Sequence, residues 1–102
     1  MSNSISELNL NHRLEILYIG SNEFIELPIL HENITFLNCE NNKISNVTNL
    51  PRQLKTLRCS YNPIIEIILP EQLTMFECTH SKLRVLPRIP DTIQSIRVSH
   101  NN

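Results

Sequence analysis

The stretch Leu14-Glu15-Ile16-Leu17-Tyr18-Ile19-Gly20-Ser21-Asn22-Glu23-Phe24-Ile25-Glu26-Leu27 decides the fold, because its pattern returns down the whole chain. Apolar residues at places one, four, six, eleven and fourteen, with Asn at nine, come back as Ile34, Leu37, Cys39, Ile44, Val47 and Asn42. They come back again as Leu54, Leu57, Cys59, Asn62, Ile64 and Ile67, then as Leu73, Phe76, Cys78, Ser81, Leu83 and Leu86. A last partial copy reads Ile93, Ile96, Val98 and Asn101. Successive starts lie 20, 20, 19 and 20 residues apart. Each unit is also preceded, four places before its start, by an apolar residue (Leu10, Leu30, Leu50, Leu69, Ile89), with Pro following the last three. A fixed period of this length marks a solenoid, in which each unit is one coil and stacking buries a core that no coil could bury alone.

A coil of 20 residues has room for one short strand, a turn and a return path. Places one, four and six point inward, so that Leu54, Leu57 and Cys59 stack on Ile34, Leu37 and Cys39. Strands centred on place four pair into a parallel sheet, about 4.8 Å apart. The return segment is too short for a regular helix and is interrupted by Pro51, Pro70, Pro87 and Pro90, so extended, polyproline-like or short 3-10 segments are expected on the convex side. A buried Asn amide can both donate to and accept from turn backbone, which explains Asn22, Asn42, Asn62 and Asn101 as one ladder. Ser81 interrupts it, and Ser81→Asn is expected to be neutral or stabilising.

The pattern L-x-x-L-x-(L/C)-x-x-N-x-L-x-x-L-P resembles a leucine-rich repeat. The short unit, and pieces such as Leu86-Pro87-Arg88-Ile89-Pro90-Asp91-Thr92-Ile93, resemble the subclass of 20 to 22 residues found in secreted bacterial effectors. Asn62-Pro63-Ile64 followed by Leu69-Pro70 is also similar to the FNIP repeats of amoebae and their giant viruses. The resemblance spans most of the chain and implies a β-solenoid with its parallel sheet on the concave face. Residues 1–13 form a partial repeat, full repeats start at 14, 34, 54 and 73, and 93–102 is a partial last repeat, all within one domain. Some bacterial relatives carry a separate ubiquitin-ligase domain; the repeat leaves no space for one here. Function is specified weakly by such a fold.

Composition narrows the function classes. With 102 residues and a formal net charge of -1, the chain suits one domain and carries no basic stripe for nucleic acid. Its opening, Met1 to Asn11, has no apolar run of the kind a secretory signal or membrane span needs, so a soluble, cytoplasmic protein without a membrane partner is expected, possible also inside a host cell. Three cysteines, an odd number, favour reduced thiols in that setting, and Asn33-Ile34-Thr35 and Asn46-Val47-Thr48 are then not glycosylation sites. Heavy use of Ile and Asn with no Ala speaks of an AT-rich coding genome and of no mechanism.

No chemistry stands out. Cys39, Cys59 and Cys78 share one inward column with Ile19 and Val98, and a linear stack does not converge on the tetrahedron that zinc requires, so they are expected to act as small hydrophobes. His80 and His100 share a column beside the Asn position and are expected as exposed turn residues, with His12 and His31 solvated in return segments. Gly20 is the one glycine, which excludes a Gly-rich phosphate loop. An enzyme, a cofactor and a bound metal are not expected.

The outward strand positions carry the functional expectation. Flanking place four are Ile16, Phe36, Thr56, Met75 and Ser95 in one column, and Tyr18, Asn38, Arg58, Glu77 and Arg97 in the next. Ile16, Tyr18 and Phe36 should gather as an apolar patch, and Arg58, Glu77 and Arg97 as a charged strip. Aromatic residues and Arg are enriched at interface hot spots, so these positions, with Asn38, are the expected protein-binding face. The opposing reading is that Ile16 and Phe36 simply favour strands or are covered by the N-terminal arm. At the ends the chain opens inside a repeat and closes at the same phase, which would leave Ile93, Ile96 and Val98 at a bare edge. Self-association there is expected, most simply as a two-fold homodimer, with head-to-tail stacking as the other arrangement.

Overall fold

A computed structural model describes residues 13–99. The N-terminal partial repeat up to His12, and His100, Asn101 and Asn102, lie outside the described residues. Seven short strands follow one another: β1 (Ile16–Tyr18), β2 (Phe36–Asn38), β3 (Asn46–Val47), β4 (Thr56–Arg58), β5 (Glu66–Ile67), β6 (Met75–Glu77) and β7 (Ser95–Arg97). They make a five-stranded parallel sheet in the order β1-β2-β4-β6-β7 and a separate two-stranded parallel sheet, β3-β5. We number the coils from their starts, so that coil 1 begins at 14, coil 2 at 34, coil 3 at 54 and coil 4 at 73.

The register of the main sheet is the register of the repeat. Leu17, Leu37, Leu57, Phe76 and Ile96 sit side by side at the strand centres. Each neighbouring coil donates from the residue before its strand: Thr35 N–H bonds Glu15 O at 2.8 Å, Lys55 N–H bonds Thr35 O at 2.8 Å, and Thr74 N–H bonds Lys55 O at 2.8 Å. Beneath it lies one continuous core of Ile34, Leu37, Cys39, Leu54, Leu57, Cys59, Leu73, Phe76 and Cys78, all fully buried. Burying this apolar surface drives the stacking at roughly 25 cal/mol per Å².

The asparagines do what the ladder requires. Asn62 Nδ2 reaches Cys39 O at 2.9 Å in the preceding coil, and Cys59 O and Ser60 O at 3.2 and 3.3 Å in its own, while its Oδ1 accepts from Ile44 N–H at 3.1 Å. Asn42 repeats this with Ile19 O, Cys39 O, Glu40 O and Phe24 N–H. One buried amide therefore satisfies two coils at once. At coil 4 the short Ser81 hydroxyl accepts from Leu83 N–H instead, and Ile64 N–H, which an Asn at 81 would meet, turns back to Asn62 O at 2.8 Å.

The return side is extended, as expected, without a 3-10 segment among the described residues, and adds the small sheet β3-β5. The strands form only in coils 2 and 3, where Thr48 and Ile68 stand at the fifteenth place; coils 1 and 4 have Pro28 and Pro87 there and bend at Ile25–Glu26 and Arg84–Val85. Ile68 N–H donates across this sheet to Val47 O at 2.9 Å, and Pro87 cannot supply the corresponding bond from coil 4 to coil 3. Leu86, which shares a column with the buried Val47 and Ile67, is 57% exposed in the last described return segment.

Candidate interaction surface

Every outward residue named from the sequence lies on the five-stranded sheet in the expected columns, because paired strands in one register must project alternate residues to one face. Ile16, Phe36, Thr56, Met75 and Ser95 are mutual partners, as are Tyr18, Asn38, Arg58, Glu77 and Arg97. Tyr18 and Ile16 are strongly exposed, and Phe36 is half-buried. The rings of Tyr18 and Phe36 meet with centroids 5.1 Å apart at 41°, so the patch is a formed aromatic pair. Beside it, Asn38 Oδ1 accepts from Glu40 N–H at 3.0 Å, which fixes the amide against the strand end.

The charged strip is internally engaged. Arg58 Nε lies 3.2 Å from Glu77 Oε1, with the arginine side chain 43% and the glutamate 16% exposed. A pair this open to solvent contributes no more than about 1 kcal/mol. Its stronger effect is to commit the Arg58 charge locally, leaving Arg97, exposed on β7, to present positive charge outward. The strip is thus less basic than its sequence reads.

Beyond expecting His80 in an exposed turn, sequence reasoning missed the shared backbone of its column, at the turn that leaves each strand. Ser21, Asn41, Tyr61 and His80 all have positive φ, between 54° and 59°. Their N–H groups donate to the following coil: Ser21 to Glu40 O at 2.8 Å, Asn41 to Ser60 O at 3.1 Å, Tyr61 to Thr79 O at 3.0 Å and His80 to Ser99 O at 3.3 Å. These bonds hold a left-handed backbone that costs a residue other than Gly or Asn about 1 kcal/mol or more. Tyr61 and His80 are exposed here and stack face to face, centroids 4.3 Å apart at 8°. Two aromatic rings in one turn column were the available signal. His80 is exposed as expected, whereas His31 is half-buried and accepts from Asn33 N–H through Nδ1 at 3.3 Å, capping its turn rather than standing in solvent.

The cysteines are core. All three are fully buried free thiols. Burial, with the nearby Cys78 and Glu40, pushes Cys39 up to about 12. The hydrogen bond to Cys78, together with burial, holds Cys59 well above the usual thiol range. Thiols held neutral in this way, at Cys39 and Cys59, are poor nucleophiles and poor metal ligands, while the hydrogen bond from Cys59, against burial and with help from Ser81, lowers Cys78. Among the described residues, no group of three or more His, Cys, Asp or Glu side chains is placed to hold a metal ion. The edge residues Ile93 and Val98 are half-buried, and Ile96 is 41% exposed.

No family model and no curated protein matches the chain. Among solved structures it is similar to YopM from Yersinia enterocolitica WA-314, with a TM-score of 0.90 and 32% identity over 98% of this chain. That match takes in 23% of the YopM chain, so this protein spans about a quarter of the length of the structure it resembles. In-register parallel strands, one core column per inward place, the asparagine ladder and this likeness lead to one conclusion: the chain has the leucine-rich-repeat fold.

Proposed function

We propose that this protein is a non-catalytic interaction module that binds a partner protein through the outward face of its five-stranded sheet. The observation that carries the reading is the exposed Tyr18–Phe36 pair flanked by Ile16. Neighbouring strands in strict register hold the pair, so little conformational entropy is lost when a partner covers it. Asn38 lies beside the pair, and Arg58, Glu77 and Arg97 continue the face as a polar border that sets orientation more than affinity. Buried, reduced thiols suit a cytoplasmic setting, and that is where we place the protein, including the cytoplasm of a host cell if it is delivered like the bacterial effectors or encoded like the giant-virus repeats it resembles. Affinity capture from such a cytoplasm should lose its specific partner when Tyr18→Ala and Phe36→Ala are combined. Identical partners at identical yield would overturn the reading.

Self-association through β7 is the second reading. Its support is Ile96, 41% exposed in a column whose other members, Leu17, Leu37, Leu57 and Phe76, are buried. Another strand laid on β7, with Ile93, Ile96 and Val98 beneath it, would complete that column, and a two-fold homodimer is the simplest way for a second copy to supply it. Sedimentation across a concentration series should then show a dimer that Ile96→Lys dissociates. A strictly monomeric protein at high micromolar concentration would remove this reading and leave the first intact.

A further inference from the structure

The return side holds an unfinished strand edge inside the solenoid. In coil 3, Ile65, Glu66 and Ile68 donate their N–H groups to Ser45 O at 2.9 Å, Ser45 O at 3.4 Å and Val47 O at 2.9 Å. One coil earlier the corresponding donors are Ser45, Asn46 and Thr48. Coil 1 is bonded to coil 2 just before this point, through Lys43 N–H to Phe24 O at 2.8 Å, and then bends away at Ile25–Glu26. The N–H groups of Ser45, Asn46 and Thr48 consequently meet no acceptor among the described residues. Between the diverging segments lies a groove of about 310 Å³ walled by Ile25, Glu26 and Leu27 on one side and by Ser45, Asn46 and Thr48 on the other. It adjoins a second hollow of about 280 Å³ that shares Leu27 and Asn49 and reaches Ile29 and Glu32.

We infer that this edge accepts an extended segment of another protein, one that alternates basic and apolar residues, as an added strand beside β3. Three donors in strand geometry select a run of backbone carbonyls, which an extended peptide supplies at the right spacing. Specificity follows from the lining. The charged side chains of the two hollows are Glu26 and Glu32, both exposed and both acidic, so Lys or Arg on the peptide is favoured and Asp or Glu is repelled. Ile25 and Ile29, 70% and 95% exposed at the lips, offer apolar contact to the intervening residues. This surface lies apart from Tyr18 and Phe36, and its occupation does not depend on the sheet-face reading.

The test is fluorescence anisotropy of the full chain with labelled acetyl-(Lys-Val)4-amide. The companion probes are acetyl-(Glu-Val)4-amide and a (Lys-Val)4 peptide N-methylated at every residue, so that both of its edges are blocked. The basic peptide should saturate at sub-millimolar concentration, the acidic one should bind at least 10-fold more weakly, and N-methylation should abolish binding by blocking the ladder. Thr48→Pro removes one edge donor at a place where coils 1 and 4 already carry proline, and should weaken binding at least 10-fold with an unchanged thermal midpoint. Should that variant fail to fold, Glu26→Lys with Glu32→Lys, both on the surface, should invert the preference between the basic and acidic peptides. Equal binding of the N-methylated peptide, or an unchanged preference in the double variant, would overturn the inference. So would concentration-dependent self-assembly lost in Thr48→Pro, which would assign the edge to a second copy of the chain.

Discussion

Two sides of the same coils behave differently. On the main sheet, five strands pair without interruption from Ile16 to Arg97, while on the return side only coils 2 and 3 pair, over two residues each. Both sides inherit the same period and the same stacking distance, so spacing does not separate them. What separates them is the return path itself: Pro87 removes the donor that coil 4 would give to coil 3, while coil 2 keeps its donors and coil 1 bends away from them at Ile25–Glu26. Strand residues of the main sheet are never proline, whereas Pro28 and Pro87 occupy the return side in coils 1 and 4. The lesson is that a repeat guarantees proximity of backbones and leaves pairing to be decided residue by residue.

The strongest way to break the comparison is to attack leucines of equal standing in the repeat. Leu57→Ala, in the fully buried column under the main sheet, should cost about 3 to 4 kcal/mol in urea denaturation. Leu86→Ala, on the side where pairing has failed, should stay within about 0.5 kcal/mol. A comparable loss at both would mean that the return side is as tightly built as the sheet.

Asparagine couples the two sides, and its removal should come next in size. Asn62→Ala strips Cys39 O and Ile44 N–H of their partner and should lower stability by about 2 kcal/mol. The reverse change, Ser81→Asn, should leave stability unchanged or raise it by up to about 1 kcal/mol by giving Ile64 N–H a side-chain acceptor. A clear fall in the thermal midpoint would contradict the ladder at coil 4.

One pH dependence belongs to the sheet side, because the cysteine column lies beneath it. Cys39 has a folded value of about 12 against 9.0 for a free thiol, so the folded state retains a proton that the unfolded chain releases. The associated stability is complete below pH 9 and is lost as pH rises toward 12. The thermal midpoint should therefore decline above pH 9, and Cys39→Val should flatten part of that decline. An identical slope in the variant would assign alkaline sensitivity to other groups.

The smallest effect sharpens the proline argument. Pro28→Thr should let coil 1 lie along β3 and change stability by only about 0.5 kcal/mol. Its clear readout is hydrogen exchange: the Ser45 and Thr48 amides should slow in the variant. Unchanged exchange would place the cause of the bend at Ile25–Glu26 itself.

These contrasts also mark how much was legible beforehand. Period-locked features were readable because they depend on place within the repeat: the strand register, the outward columns holding Tyr18, Phe36, Arg58 and Arg97, and the reading of Cys39, Cys59 and Cys78 as core. The repeat's residue type at Leu86 did not fix its burial, because a place-fourteen side chain is covered only by the coil that follows, and none follows it among the described residues. The left-handed backbone at Tyr61 and His80 went unread, though His80 was expected in an exposed turn, because such a turn is ordinarily announced by Gly or Asn, and here only Asn41 gives that signal.

The sequence by itself determined the solenoid, its sheet and its core, since periodic burial of Leu, Ile and Cys admits one way of stacking 20-residue coils. Only the tertiary structure decided which coils pair on the return side, where the Arg58 charge is spent, and that β3 keeps an open edge. Those outcomes depend on hydrogen bonds and ion pairs between residues about 20 positions apart, whose geometry is set when coils meet and is written in no single coil.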